Sequence, residues 1–137
     1  MTNSTVLIAV SDLFFLSKIK SALEAQGCMV RVATQVQPFL KEAVEQKPSL
    51  IIIDLGIATM DPVHLIQEIR RNPQLMDLPV LCYTNHTQVP DWEEKLKDKI
   101  TKVVPNSYIS SKINRIMDLA NQTFNPPPFP DVITPQD

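Results

Sequence analysis

The stretch Leu50–Leu55, LIIIDL, limits the fold of this chain more than any other. It carries three consecutive isoleucines and nothing polar before Asp54. A strand with one wet face alternates apolar and polar side chains. A run without alternation is buried on both faces, as a central strand of a parallel sheet is.

Four further short apolar runs are separated by amphipathic segments, and the pattern repeats along the chain. Val6 to Val10 reads as the first strand, and Ser11 then offers an N-cap. Leu16, Ile19, Ala22 and Leu23 follow at helical spacing until Gly27 ends the helix as a C′ glycine. Met29 to Ala33 reads as a more exposed second strand because it carries Arg31. Pro38 opens a second helix, with Leu40, Ala43 and Val44 as its buried stripe. After the isoleucine strand, Asp61-Pro62 supplies an N-cap and an N1 proline for a third helix, whose apolar face is Val63, Leu65, Ile66 and Ile69. Val80 to Thr84 is the fourth strand. Asp91 with Glu94 three residues on has the spacing of a capping box around Trp92 and Leu96. Ile100 to Val104 is the fifth strand, and Ser110 is expected to cap a last helix with the stripe Ile113, Ile116, Met117 and Ala120.

Strands alternating with helices in this way define a doubly wound α/β domain. Right-handed crossovers favour the flavodoxin-like arrangement: a five-stranded parallel sheet in order 2-1-3-4-5 with helices on both faces. The 137 residues fit one domain, expected over residues 1–122. Residues 123–137 hold Pro126, Pro127, Pro128, Pro130 and Pro135 and are expected to be an extended or disordered tail. Cys28 and Cys82 sit in apolar runs and read as small buried hydrophobes of a reducing compartment. A net charge of −2 argues against a nucleic-acid partner. The Lys95, Lys97, Lys99 and Lys102 run is interleaved with Asp91, Glu93, Glu94 and Asp98, which makes it a solvated face. The N-terminus has no signal-peptide pattern and no segment approaches membrane-spanning length, so the expected location is cytoplasmic, with no membrane partner.

In an open sheet of this order, ligands bind beyond the carboxyl ends of the strands where the order reverses, between strands one and three. Asp12 follows strand one and Asp54 ends strand three. Two carboxylates there suit a hard cation such as Mg²⁺, which takes few protein oxygens and keeps waters or phosphate. Thr84 ends strand four next door and offers a hydroxyl to a bound phosphoryl oxygen.

From residue 6 to about 120 the chain resembles the receiver domain of two-component response regulators. IIIDLGIATMDP is similar to the family's strand-three motif without a gap, and Val10-Ser11-Asp12 falls on its Val-Asp-Asp. The resemblance implies Asp54 as phosphoacceptor, with Asp12, Asp54 and the backbone carbonyl of Gly56 as Mg²⁺ ligands and Thr84 as the switch hydroxyl. It further implies a histidine kinase or phosphotransfer protein upstream. A downstream protein is expected on the face of helix four, strand five and helix five, and a homodimer is left open.

Departures from that pattern are concentrated at the site. Ser11 replaces the first acid of the pair, Ala58 the motif's proline, Pro62 its glycine, and Asn85 the small residue after the switch hydroxyl. The family's Lys-Pro after strand five is missing, with Ser107 at the lysine position and Val104 where an aromatic is common. The lysine ordinarily helps offset the phosphoryl charge, so the Mg²⁺ site and the switch are both expected to be weak. Asp12 is equally readable as a first-turn acid favoured by the helix dipole, and Thr84 as a β-branched strand residue. Trp92 and Tyr108 are either partner contacts or packing, and His64 and His86 read as surface residues.

Two functions follow. One is a relay receiver phosphorylated on Asp54; the other is a pseudo-receiver that binds proteins without phosphorylation. An enzyme is not expected, because Gly27 and Gly56 are the only glycines and no phosphate-cradling loop can be built from them.

Overall fold

The computed structural model describes residues 4–112 and residue 115. Its sheet has five parallel strands: β1 (Thr5–Ala9), β2 (Met29–Val32), β3 (Leu50–Asp54), β4 (Val80–Thr84) and β5 (Lys102–Pro105). Their order is β2-β1-β3-β4-β5, as the alternation of elements predicts. The isoleucine strand β3 is central, with Ala9 of β1 opposite Ile53 and Tyr83 of β4 opposite Asp54.

Alternation along each strand divides the core in two. Leu7, Ile51, Ile53, Val80 and Val103 face α2 (Val36–Gln46) and α3 (Pro62–Arg71), which contribute Phe39, Ala43, Leu65, Ile66 and Ile69. Leu96, just after α4 (Val89–Lys95), packs on that same side. Val6, Ile8, Ile52, Leu81, Tyr83 and Val104 face the other way, onto α1 (Leu13–Ala25) and α5 (Asn106–Lys112) through Ile19, Leu23 and Ile109. Each fully buried aliphatic side chain contributes about 1.5–3 kcal/mol, so β3, covered on both sides, anchors the domain. Cys28 and Cys82 are buried free thiols, and burial pushes both upward, so they act as apolar filler.

Helix ends account for most differences from the sequence reading. Ser11 does not cap α1; Asp12 does, its Oδ1 accepting from the amides of Phe14 (2.9 Å) and Phe15 (3.2 Å). At the far end Gly27, at φ +87, receives the chain in a Schellman turn: Cys28 N–H donates to the Leu23 carbonyl and Gly27 N–H to that of Glu24. α2 begins at Val36, so Pro38 is its third residue, where a missing N–H breaks no helical bond. Its buried stripe is Phe39 and Ala43, with Leu40 and Val44 half-buried. Asp61 caps α3 as expected, its Oδ1 accepting from the Val63 amide.

A 3₁₀ turn, His86–Gln88, precedes α4 and moves its start upstream, which leaves Asp91 in the first turn and no capping box. β5 starts at Lys102 rather than Ile100, after a left-handed Asp98 (φ 69). It runs directly into α5, so Ser110 lies within that helix instead of capping it. The expected stripe from Ile113 to Ala120, and the proline-rich tail, lie outside the described residues. The edge strand β2 ends at Val32 and leaves Met29 and Val32 partly exposed.

Candidate functional site

The switch in strand order between β1 and β3 opens at the carboxyl end of the sheet, and the chain places its acids there. Asp54 is the last residue of β3 and is half-buried. Its Oδ1 accepts from the Gly56 amide at 2.8 Å, so the loop after β3 turns back onto the carboxylate. A Cβ on residue 56 would lie 3.4 Å from that same oxygen. That is ordinary van der Waals contact, so the approach itself does not require glycine.

Asp12 sits at the mouth of the neighbouring strand, exposed, with one oxygen held by the α1 cap. Its charge reaches Asp54. Burial first, and repulsion from Asp12 second, push the Asp54 carboxyl above the usual carboxylate range, against the lowering effect of the Gly56 amide. That repulsion marks the two carboxylates as neighbours, and both of Asp12's expected roles are compatible with its position.

The two acids fit a hard cation. Among the described residues, neither Oδ2 has a hydrogen-bond partner, so each acid keeps an oxygen for a ligand. No cluster of three or more His, Cys, Asp or Glu side chains forms among the described residues, so any remaining ligands must be waters, a phosphoryl oxygen or a backbone carbonyl. That is the sparse protein coordination Mg²⁺ accepts. Ser11, beside Asp12, is exposed and adds no carboxylate.

Thr84 closes β4, almost fully buried, and its hydroxyl donates to Gln88 Oε1 at 3.2 Å. That proton is directed to the turn before α4 and not to Asp54. Ser107 is exposed in the first turn of α5, just past the end of β5. Val104 is buried in β5 beside Tyr83 and belongs to the core. Trp92 and Tyr108 are half-buried, Trp92 packing against the core layer of α2 and α3 and Tyr108 against that of α1 and α5. Lys95 lies over the Trp92 ring at 5.1 Å. His64 and His86 are exposed, as are the lysines and acids of the mixed run.

One residue at the site is not signalled by the sequence reading. Tyr83 precedes Thr84 and lies opposite Asp54 in the β3–β4 register. Its hydroxyl is buried without a hydrogen-bond partner among the described residues. Inside the run Val80–Thr84 it reads as one more apolar strand residue. Strand register, which sets it beside Asp54, is the signal that would have found it.

Comparison with known proteins agrees with this fold. The family model of the response regulator receiver domain matches residues 6–116. The KDP operon transcriptional regulatory protein KdpE of Escherichia coli is 34% identical over 91 residues, which is 66% of this chain and 38% of that protein. An uncharacterized 14.6 kDa protein of Leptolyngbya boryana is 28% identical over 90 residues, 63% of this chain and 69% of its own length. The chain thus spans well under half of KdpE. Among solved structures, the receiver domain of sensor histidine kinase PA1611 from Pseudomonas aeruginosa, which has a magnesium ion coordinated in its active-site cleft, superposes with a TM-score of 0.75 at 16% identity. The match covers 88% of this chain and 100% of that one. The chemotaxis response regulator CheY4 of Vibrio cholerae gives 0.69 at 18% identity, over 84% of this chain and 99% of that one. With the family model matching most of its length, this chain belongs to the response regulator receiver domain family.

Proposed function

We propose that this receiver domain takes a phosphoryl group on Asp54 from a histidine kinase or phosphotransfer protein and passes the change to a protein partner. The observation that carries the reading is the pairing of a half-buried, cation-competent Asp54 with Asp12 at the point where strand order reverses. In the transfer, the free Oδ2 of Asp54 attacks phosphorus as the P–N bond to the donor imidazole breaks, and the bonding pair leaves with the imidazole nitrogen. The Gly56 amide holds Oδ1 and fixes the rotation of the carboxylate, which aims Oδ2 outward. Asp12, Asp54 and the Gly56 carbonyl are the groups that would hold Mg²⁺. When bound, the cation supplies charge neutralisation for the incoming phosphoryl oxygens. The α4–β5–α5 face is the proposed output surface.

Two observations favour a second reading, a phosphorylation-independent binding module. Ser107 provides no cation where the family has lysine, and the Thr84 hydroxyl is engaged by Gln88. Intact-mass analysis after incubation with Mg²⁺ and acetyl phosphate separates the two. The first reading expects wild type to gain one hydroxylamine-labile phosphoryl group and Asp54→Asn to gain none. A wild type that gains nothing moves the chain to the second.

A further inference from the structure

The Tyr83 hydroxyl stands out because a buried, unpaired O–H is disfavoured and a phenylalanine would avoid it. Tyr83 is 2% exposed, and its hydroxyl finds no hydrogen-bond partner among the described residues. The β3–β4 register sets it opposite Asp54, and its side chain lies on the α1–α5 side of the sheet. Its ring packs against Phe15 with centroids 5.0 Å apart, in the first turn of the helix that Asp12 caps. The phenol thus lies beside the end of β3 that carries Asp54 and against the first turn of the helix that Asp12 caps.

We propose that the Tyr83 hydroxyl is an anion-binding donor that hydrogen-bonds a phosphoryl oxygen carried on Asp54. This rests on the reading of Asp54 as phosphoacceptor. Burial, and after it the charges of Asp54 and Asp12, push the phenol upward, so it stays protonated and keeps a proton to give. The Asp54 carboxylate is close enough to act on that phenol electrostatically, yet the two form no hydrogen bond. A phosphoryl group extends the side chain by a tetrahedral set of oxygens, which shortens that gap. Ser107 leaves the site without its usual cation, and a neutral donor on β4 replaces the lost contact without replacing the lost charge.

Beryllofluoride with Mg²⁺ tests this, since it forms a tetrahedral phosphoryl mimic on an aspartate and its fluorines report their contacts by ¹⁹F NMR. Wild type, Tyr83→Phe and Asp54→Asn are titrated side by side. Tyr83→Phe is expected to melt at or above the wild-type temperature, to bind beryllofluoride about tenfold more weakly, and to shift one bound fluorine resonance. In wild-type protein labelled with ¹³Cζ-tyrosine, the Tyr83 resonance is expected to move on binding. This second readout needs no substitution.

Wild-type affinity and an unchanged fluorine pattern in Tyr83→Phe would overturn the tyrosine role while leaving Asp54 as acceptor. A Tyr83 ¹³Cζ signal indifferent to beryllofluoride would do the same. A wild type that gives no bound fluorine resonance would overturn both the acceptor reading and the tyrosine role.

Discussion

Asp54 carries a charge that its surroundings disfavour. Burial and the neighbouring Asp12 raise its pKa, and only the Gly56 amide opposes them. A carboxyl whose folded pKa lies above its unfolded value holds its proton more tightly in the native state. The native state then loses stability as pH rises from the ordinary carboxylate range, about pH 4, through the raised value. Below that range both states are protonated and nothing is lost. Asp54→Asn keeps an oxygen for the Gly56 amide and removes the charge. It is expected to raise Tm by a few degrees at neutral pH, with the gain shrinking as pH falls toward about 4; thermal melts of both proteins across that range check it. Such a group does not serve stability, and the proposed phosphoacceptor role would account for its presence at the strand-order switch. Asp12, Asp54 and Thr84 are singled out in the sequence by standing at or just after the ends of apolar runs, although a helix cap accounts for Asp12 and a β-branched strand residue for Thr84 equally well. Tyr83 is not legible, because an aromatic inside such a run satisfies β-propensity and burial together. Only the pairing of strands shows that it stands opposite Asp54.

Helix α1 joins architecture to chemistry through one side chain. Asp12 caps it with Oδ1, and the proposed metal role would use Oδ2, so two substitutions separate the roles. Asp12→Ala loses the cap and is expected to cost about 0.5–2 kcal/mol. Asp12→Asn can still accept from the Phe14 and Phe15 amides, so chemical denaturation should find it near wild type. Its Mg²⁺ affinity, read by calorimetry, should fall at least several-fold. Equal Mg²⁺ affinity in Asp12→Asn would reduce the residue to a cap. The sequence offers adjacent acceptors, Ser11 and Asp12, and their order alone does not say which adopts the cap geometry. The same limit applies after β5, where Asn106 rather than Ser110 begins the helix, because the strand passes into α5 with no intervening loop. By contrast Gly27 and the Asp61-Pro62 pair locate their helix ends correctly, since left-handed backbone and an N1 proline leave few alternatives. Arg70 illustrates a contact that only tertiary structure reveals. Its guanidinium donates to the carbonyls of Met76, Leu78 and Lys99, tying the segment before β4 to the one before β5. Burial lowers its pKa to about 10, which leaves it charged at neutral pH.

At the scale of the molecule, the sheet was readable because burial on two faces is written directly into composition. LIIIDL has no alternation, which marks it as central, and right-handed crossovers with the length of the chain favour the strand order that the sheet adopts. Two apolar layers then cover β1 and β3, whose carboxyl ends lead to Asp12 and carry Asp54. The tail from residue 123 was set apart by its prolines, which cannot donate backbone hydrogen bonds, and by its scattered apolar residues. Truncation after Gln122 is expected to leave Tm nearly unchanged in calorimetry, and a large drop would mean that Phe124 or Phe129 docks on the domain or on a second copy. Among the described residues no helix is long and apolar enough to cross a membrane. What the site does as a unit is tested most directly by mapping amide chemical shifts of ¹⁵N-labelled protein with Mg²⁺ and beryllofluoride. The account predicts changes clustered at Asp12, Asp54 to Gly56, and Tyr83 to Thr84, spreading to β5 and α5, and abolished by Asp54→Asn. Changes that persist in Asp54→Asn, or that leave the carboxyl ends of β1, β3 and β4 untouched, would contradict it.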